Sequence, residues 1–207
     1  MQLFNKSAIK KTFVHTWYIY PLLAGLVTVI WLWAFYAYHQ PTKHQTLSLF
    51  FSAKVKSLKF VDQIQKKYSE ENLREVSVSG LLPEAKGYYD KLEIAFNECD
   101  LLILDKVTIS EYEGHYDLVF YRITDEVIEN YVEGEHEYYT YTDSEENTYK
   151  YGIKVDKERL SNYMDFHELR DYYICVCKSS VNCGSLKNKS NAKYDNALTF
   201  MNYLLEL

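Results

Sequence analysis

The chain has 207 residues, 29 acidic side chains against 23 basic ones, and a net charge of −6. That balance excludes a nucleic-acid partner, because phosphate backbones are bound by clustered Lys and Arg. With only 7 Gly and 3 Pro there is no long flexible linker, and the length beyond residue 38 suits one ordinary domain with its own core rather than two.

Residues 1–16 hold Lys6, Lys10 and Lys11 and no acid. Residues 17–38 then contain no Asp, Glu, Lys or Arg. A helix crossing the bilayer core needs roughly 20 apolar residues. Trp17, Tyr18 and Tyr20 stand at one end and Trp31, Trp33, Tyr36 and Tyr38 towards the other, as expected of aromatic rings at the two membrane interfaces. A core helix of this length would keep a polar stripe. A cleaved signal peptide would leave through small residues, whereas this run leaves through Phe35-Tyr36-Ala37-Tyr38. The expectation is a single-pass signal-anchor in a lipid bilayer. Removing the three lysines of residues 1–16 leaves 20 bases against all 29 acids, −9 for the rest of the chain. Folded domains translocate largely regardless of charge, so the N-terminus is expected in the cytoplasm and the C-terminal domain outside the plasma membrane. The expected division is 1–16 cytoplasmic segment, 17–38 transmembrane helix, 39–46 short tether and 47–207 extracytoplasmic α/β domain.

Within that domain, residues 45–53 alternate as a strand with Leu47, Leu49 and Phe51 on one face. Residues 55–72 read as an amphipathic helix, with Leu58, Val61, Ile64 and Tyr68 inward and Lys59, Gln63, Lys66 and Lys67 outward. Residues 74–79 predict a second strand, 84–97 a second helix on Tyr88, Leu92 and Phe96, and 100–109 a strand apolar enough to be buried on both faces. This alternation predicts an α/β layer with right-handed crossovers. Residues 125–150 contain nine acids and one base. They include a hairpin of 137–142 with 149–155 across an acidic turn that lacks the spacing of a calcium loop. A short turn or helix at 156–165, a strand at 171–178 and a terminal helix at 194–207 complete the chain. Ala197, Phe200, Met201 and Leu204 are that helix's core stripe and Asn191 or Asp195 its cap.

No catalytic constellation emerges. The six His stand apart, and no H-E-x-x-H, G-x-S-x-G or phosphate-loop pattern occurs. Asp90, Glu93 and Asp105, near strand ends, are the acid/base groups a cell-surface hydrolase would need. Cys175 and Cys177 share a strand face, and small core residues are the expected reading of the four cysteines. A disulfide from either to Cys183 is the alternative. No cofactor and no metal site is expected. Among 21 Tyr, Tyr88, Tyr89, Tyr138, Tyr139 and Tyr141 are the candidate ligand or partner contacts.

Three segments resemble bacterial extracytoplasmic solute-binding proteins, the capture partners of ABC importers. They are Cys99-Asp100-Leu101-Leu102-Ile103-Leu104, then Tyr151-Gly152-Ile153-Lys154-Val155, then 172–178 followed by Asp195-Asn196-Ala197-Leu198-Thr199-Phe200-Met201. The resemblance implies a reduced form, one three-layer α/β lobe of the periplasmic-binding-protein type, with a membrane transporter as partner. The function expected is a membrane-anchored, non-catalytic binding or interaction module; the alternatives are a receptor for a sugar, amino acid or peptide, and a hydrolase.

Overall fold

The computed structural model describes residues 16–62, 73–184, 186 and 195–207, and divides after Gln40 into two units. The first contains helix α1 (Ile19–His39), in which no residue is buried. Among the described residues it is the one helix long and apolar enough to cross a membrane. The expected run of 17–38 is shifted slightly: Trp17 and Tyr18 lie in a turn just before the helix. Trp31, Trp33, Tyr36 and Tyr38 lie within it and are 61–86% exposed.

The second unit, Pro41–Leu207, is built on a sheet. Its strands are β1 (Thr46–Phe51), β2 (Lys54–Val55), β3 (Glu75–Gly80), β4 (Leu101–Asp105), β5 (Tyr138–Thr142), β6 (Thr148–Lys154), β7 (Met164–Asp165) and β8 (Tyr172–Val176). Six form one sheet in the order β3-β1-β4-β8-β6-β5, and β2 pairs with β7 in a small second ribbon. β3, β1 and β4 are parallel. β8, β6 and β5 continue the sheet antiparallel. The helices are α2 (Tyr88–Glu98), α3 (Lys106–Ser110), α4 (Tyr116–Val119), α5 (Asp125–Tyr131), α6 (Lys157–Leu160) and α7 (Asn196–Glu206).

Alternating side chains of β1 explain how the sheet acquires two cores. Leu47, Leu49 and Phe51 face one cluster, which also takes in Phe60, Val61 and the inner face of α7. Phe50 faces the other, with Tyr88, Leu92 and Ala95 of α2. β4 is buried at all five positions because it sits between both clusters. The chain therefore steps from β1 to β3 over one face and back past β1 to β4 over the other. Same-handed crossovers taken in opposite directions require that arrangement.

Several expectations need correction. The apolar run 100–109 is not one strand: Asp105 ends β4, and its carboxylate accepts a hydrogen bond from Thr108 N, capping α3. Residues 54 and 55 form β2, and helix starts only at residue 59. Leu58 is 51% exposed while Phe60 is buried. Ile64, Tyr68 and the rest of that helix lie outside the described residues, as does Asn191. The expected short tether of residues 39–46 contains regular structure. His39 belongs to α1, residues 43–45 form a 3-10 turn behind a Thr42 capping box, and Thr46 opens β1. The hairpin expected at the end of the acidic segment 125–150 is present as β5 and β6, and α5 adds a helix ahead of it. Asp195 is the N-cap of α7 by position, without a side-chain capping bond.

Candidate functional site

In open α/β sheets, ligands bind beyond the carboxyl ends of the strands where their order reverses. Here that place lies between β1 and β4, and this chain's own side chains fill it. Ser52, just after β1, shares a hydrogen bond with the Tyr88 hydroxyl, which lies 3.4 Å from Thr108 Oγ1. Asp105, fully buried, accepts from Thr108 N at 3.2 Å and from Arg170 Nη1 at 2.6 Å. Arg170 also meets Glu84 at 2.6 Å. Partial burial opposes the guanidinium's charge, yet the bond to Asp105 leads the contacts that hold its pKa above the ordinary value. Burial pushes the Tyr88 phenol up to about 12. Every polar group of this set has a partner.

Open space lies along the flank of the same strands and at their amino end. A cleft of about 320 Å3 runs between β1, β3 and α2, over Phe50, Val78, Ile94 and Ala95. A second, of about 300 Å3, is lined by Lys43, Asp100, Ser179, Ser180 and Asn182. Ser48, Glu98 and Cys99 line both, so the two form one groove with an apolar and a polar limb. The polar limb is built by strand entry and exit. Asp100, immediately before β4, accepts from Ser48 N of β1 at 2.9 Å and from Ser180 Oγ at 2.6 Å. Cys177 N, just beyond β8, donates to the Asp100 carbonyl. Asn182 donates to the Thr46 and Lys43 carbonyls at 2.7 and 3.3 Å. Its Oδ1 is buried with no hydrogen-bond partner, an uncompensated cost of roughly 1–3 kcal/mol. Burial pushes the Asp100 carboxyl above the ordinary range, against the lowering effect of its hydrogen bonds.

The five candidate tyrosines fall into separate environments. Tyr88 is buried at 1% exposure, whereas Tyr89 is 54% exposed and donates to Glu111 at 3.1 Å. Tyr138 packs against the core cluster of Leu47 and α7. Tyr139 and Tyr141 pack against the other, around Tyr116, whose hydroxyl lies 2.9 Å from that of Tyr139. The alternation of a strand separates neighbours in this way. Asp90 and Glu93 are exposed on α2, while Asp105 is buried. The four cysteines are free and buried. Cys99, Cys175 and Cys177 lie in one cluster and Cys183 in the other, across the sheet. Burial pushes the thiols of Cys99 and Cys177 up to about 12 and about 11. Neither is a thiolate nucleophile at neutral pH. Among the described residues no group of three or more His, Cys, Asp or Glu is placed to hold a metal ion. In the turn 143–147, Asp143 instead accepts from the backbone of Glu145 and Asn147.

Ser48, Glu98, Ser180 and Asn182 were not singled out by sequence pattern, and Asp100 drew notice only as the start of an apolar run. Comparison with protein families, with curated proteins and with solved structures gives no match.

Proposed function

We propose that this chain is a membrane-anchored binding module that assigns no residue to catalysis. In this reading α1 spans the plasma membrane, residues 1–16 lie in the cytoplasm and the α/β domain lies outside. The length and composition of α1 support the anchor, and the lysines of residues 1–16 support the orientation. Of the two binding functions, capture of a small solute is favoured over a purely protein-facing role. The observation behind that choice is the groove itself, whose polar limb is lined by Asp100, Ser180 and Asn182 and whose apolar limb is lined by Phe50, Val78 and Ile94. Small-ligand sites characteristically combine an apolar wall with a few convergent polar groups, as the two limbs of this groove do.

Kinship with one lobe of the importer-linked solute-binding proteins, and a transporter as partner, belong to the same proposal. They rest on the segments 99–104, 151–155, 172–178 and 195–201. The test is a thermal-shift screen of the full chain in detergent against sugars, amino acids, peptides and calcium. Ligand binding to the native state raises the melting temperature. Stabilisation by one class supports capture. A flat response from a cooperatively melting domain refutes it and returns the protein-partner role. Separately, a C-terminal tag shielded from protease in intact cells would overturn the orientation.

A further inference from the structure

Strand β3 is an edge of the sheet, and among the described residues it pairs with β1 alone. Leu81 N, just past β3, donates to the Phe51 carbonyl. The alternation of a strand therefore turns the N–H and C=O groups of Val76 and Val78 away from β1. A row of such groups is a template for a further strand.

The apolar limb of the groove adjoins that edge, and the register of β1 and β3 explains why it is there. Ser48 and Phe50 stand beside Ser77 and Ser79. Phe50 packs under α2, so Ser77 and Ser79 share its face, and both are exposed. Their hydroxyls are already engaged: Ser77 Oγ lies 2.9 Å from Ser48 Oγ, and Ser79 Oγ donates to the Leu49 carbonyl at 3.3 Å. These short side chains do not fill the space beneath α2. They leave the cleft of about 320 Å3, with Ile94 at its wall still 54% exposed. The cleft lacks a large apolar side chain, and the edge lacks a backbone.

One added strand supplies both. Its side chains alternate between faces, and an aromatic one on the α2 side reaches diagonal neighbours roughly 7–8 Å away. A second copy of this chain does not fit. Its own β3 would bring Glu75, Ser77 and Ser79 to that face and leave the cleft empty. Its β5 has already packed Tyr139 and Tyr141 around Tyr116. Lys91 and Glu98, exposed on the cleft lining, are opposite in sign, so the occupant needs no charge.

On the capture reading above, we infer that the solute is a short extended peptide that adds to β3 as a strand and seats one large apolar side chain between Ile94 and Phe50. Main-chain bonds along the edge supply affinity, and the cleft supplies side-chain preference.

The experiment uses the full chain in detergent with acetyl-Thr-Val-Phe-Val-Thr-amide as probe. Controls are the same peptide with Ala for Phe, the same peptide N-methylated at every residue, and phenylalanine amide. At 100-fold above Kd the probe is expected to raise the melting temperature by about 5–10 °C. It should also slow amide hydrogen exchange in β3. The Ala peptide should bind at least tenfold more weakly, and the other two controls should give no shift. Ile94→Glu, at an exposed position, keeps the fold and should remove at least tenfold in affinity. An equal response to the N-methylated peptide or to phenylalanine amide overturns strand addition and leaves capture standing. A response unchanged in folded Ile94→Glu overturns the site. Dimerisation of wild type that Ile94→Glu abolishes assigns the edge to a second copy and overturns the peptide. A sugar or free amino acid that stabilises the chain while the probe does not overturns the peptide class alone. No response to any class takes down both readings.

Discussion

Replacing Arg170 by Leu tests whether the polar set beyond β4 is a closed structural network. Asp105 is 0% exposed and Arg170 27%. Removing the cation leaves a buried carboxylate with the Thr108 amide at 3.2 Å as its remaining partner in that set. Breaking a buried ion pair by deleting one member costs about 3–5 kcal/mol. The surviving amide bond places this case at the lower end, about 3 kcal/mol. The half-exposed contact of Arg170 with Glu84 adds at most about 1 kcal/mol. For a domain of this size about 3 kcal/mol corresponds to a fall in Tm of about 6–12 °C. All three Trp lie in or beside α1, so unfolding of the domain is best followed by near-UV circular dichroism of its tyrosines. The double variant with Asp105→Asn should be less destabilised than the two singles together, by about 1–3 kcal/mol. An Arg170→Leu protein within about 1 kcal/mol of wild type, or strict additivity with Asp105→Asn, would refute the network.

Gly80→Ala would place its new carbon 2.6 Å from the Ala53 carbonyl and 2.9 Å from Val55 Cγ2. The overlap should cost about 1–3 kcal/mol, whereas Gly25→Ala in α1, with nothing within 4 Å, should leave the domain's melting unchanged. Comparable losses from both would contradict the packing of β3 against the turn after β1. Cys99 and Cys177, with thiols raised to about 12 and about 11 by burial, should resist alkylation at about pH 8, near the ordinary thiol pKa, until the domain is unfolded in urea. Mass spectrometry showing Cys99 modified within minutes in the native protein would contradict that burial. Asp100 has a folded pKa raised above its unfolded value. Its protonated form is therefore favoured by folding, and wild type should gain stability relative to Asp100→Asn as pH falls through the folded pKa towards the unfolded one. Parallel Tm profiles for the two proteins between about pH 7 and about 4 would show the carboxyl is not desolvated.

Much of the domain was legible where its signals are local and periodic. β1 alternates, α2 repeats Tyr88 and Leu92 at helical spacing, and the acidic turn between β5 and β6 interrupts two clear runs. What failed were places where local pattern has two readings. The run after Asp100 continues apolar through Val107 and Ile109, and only the pairing of Asp105 with Thr108 marks where strand gives way to helix. Strand direction is invisible to hydrophobic pattern, so nothing in the sequence marked β8 as antiparallel to β4 and β6, whereas the acidic turn did mark β5 and β6 as a hairpin. The groove was hidden for another reason. Asn182 and Ser180 sit on an aperiodic loop, and their importance arises from contacts to residues 80 and more positions away. The tyrosine set shows the reverse error, since abundance marked residues that the sheet then distributed between two cores.

β1 is the first strand after α1, and it lies between two parallel neighbours. Tension applied between a fixed α1 and a held domain would enter at Thr46 and run along the strand. All its hydrogen bonds to β3 and β4 would then be loaded together, in shear, rather than opened one at a time like a zipper. Before that load reaches the sheet it must break the grip of Asn182 on the carbonyls of residues 43 and 46, and of Asn196 on that of His44. Those asparagines lie late in the chain, so force applied at one end of the domain is shared at once with the other.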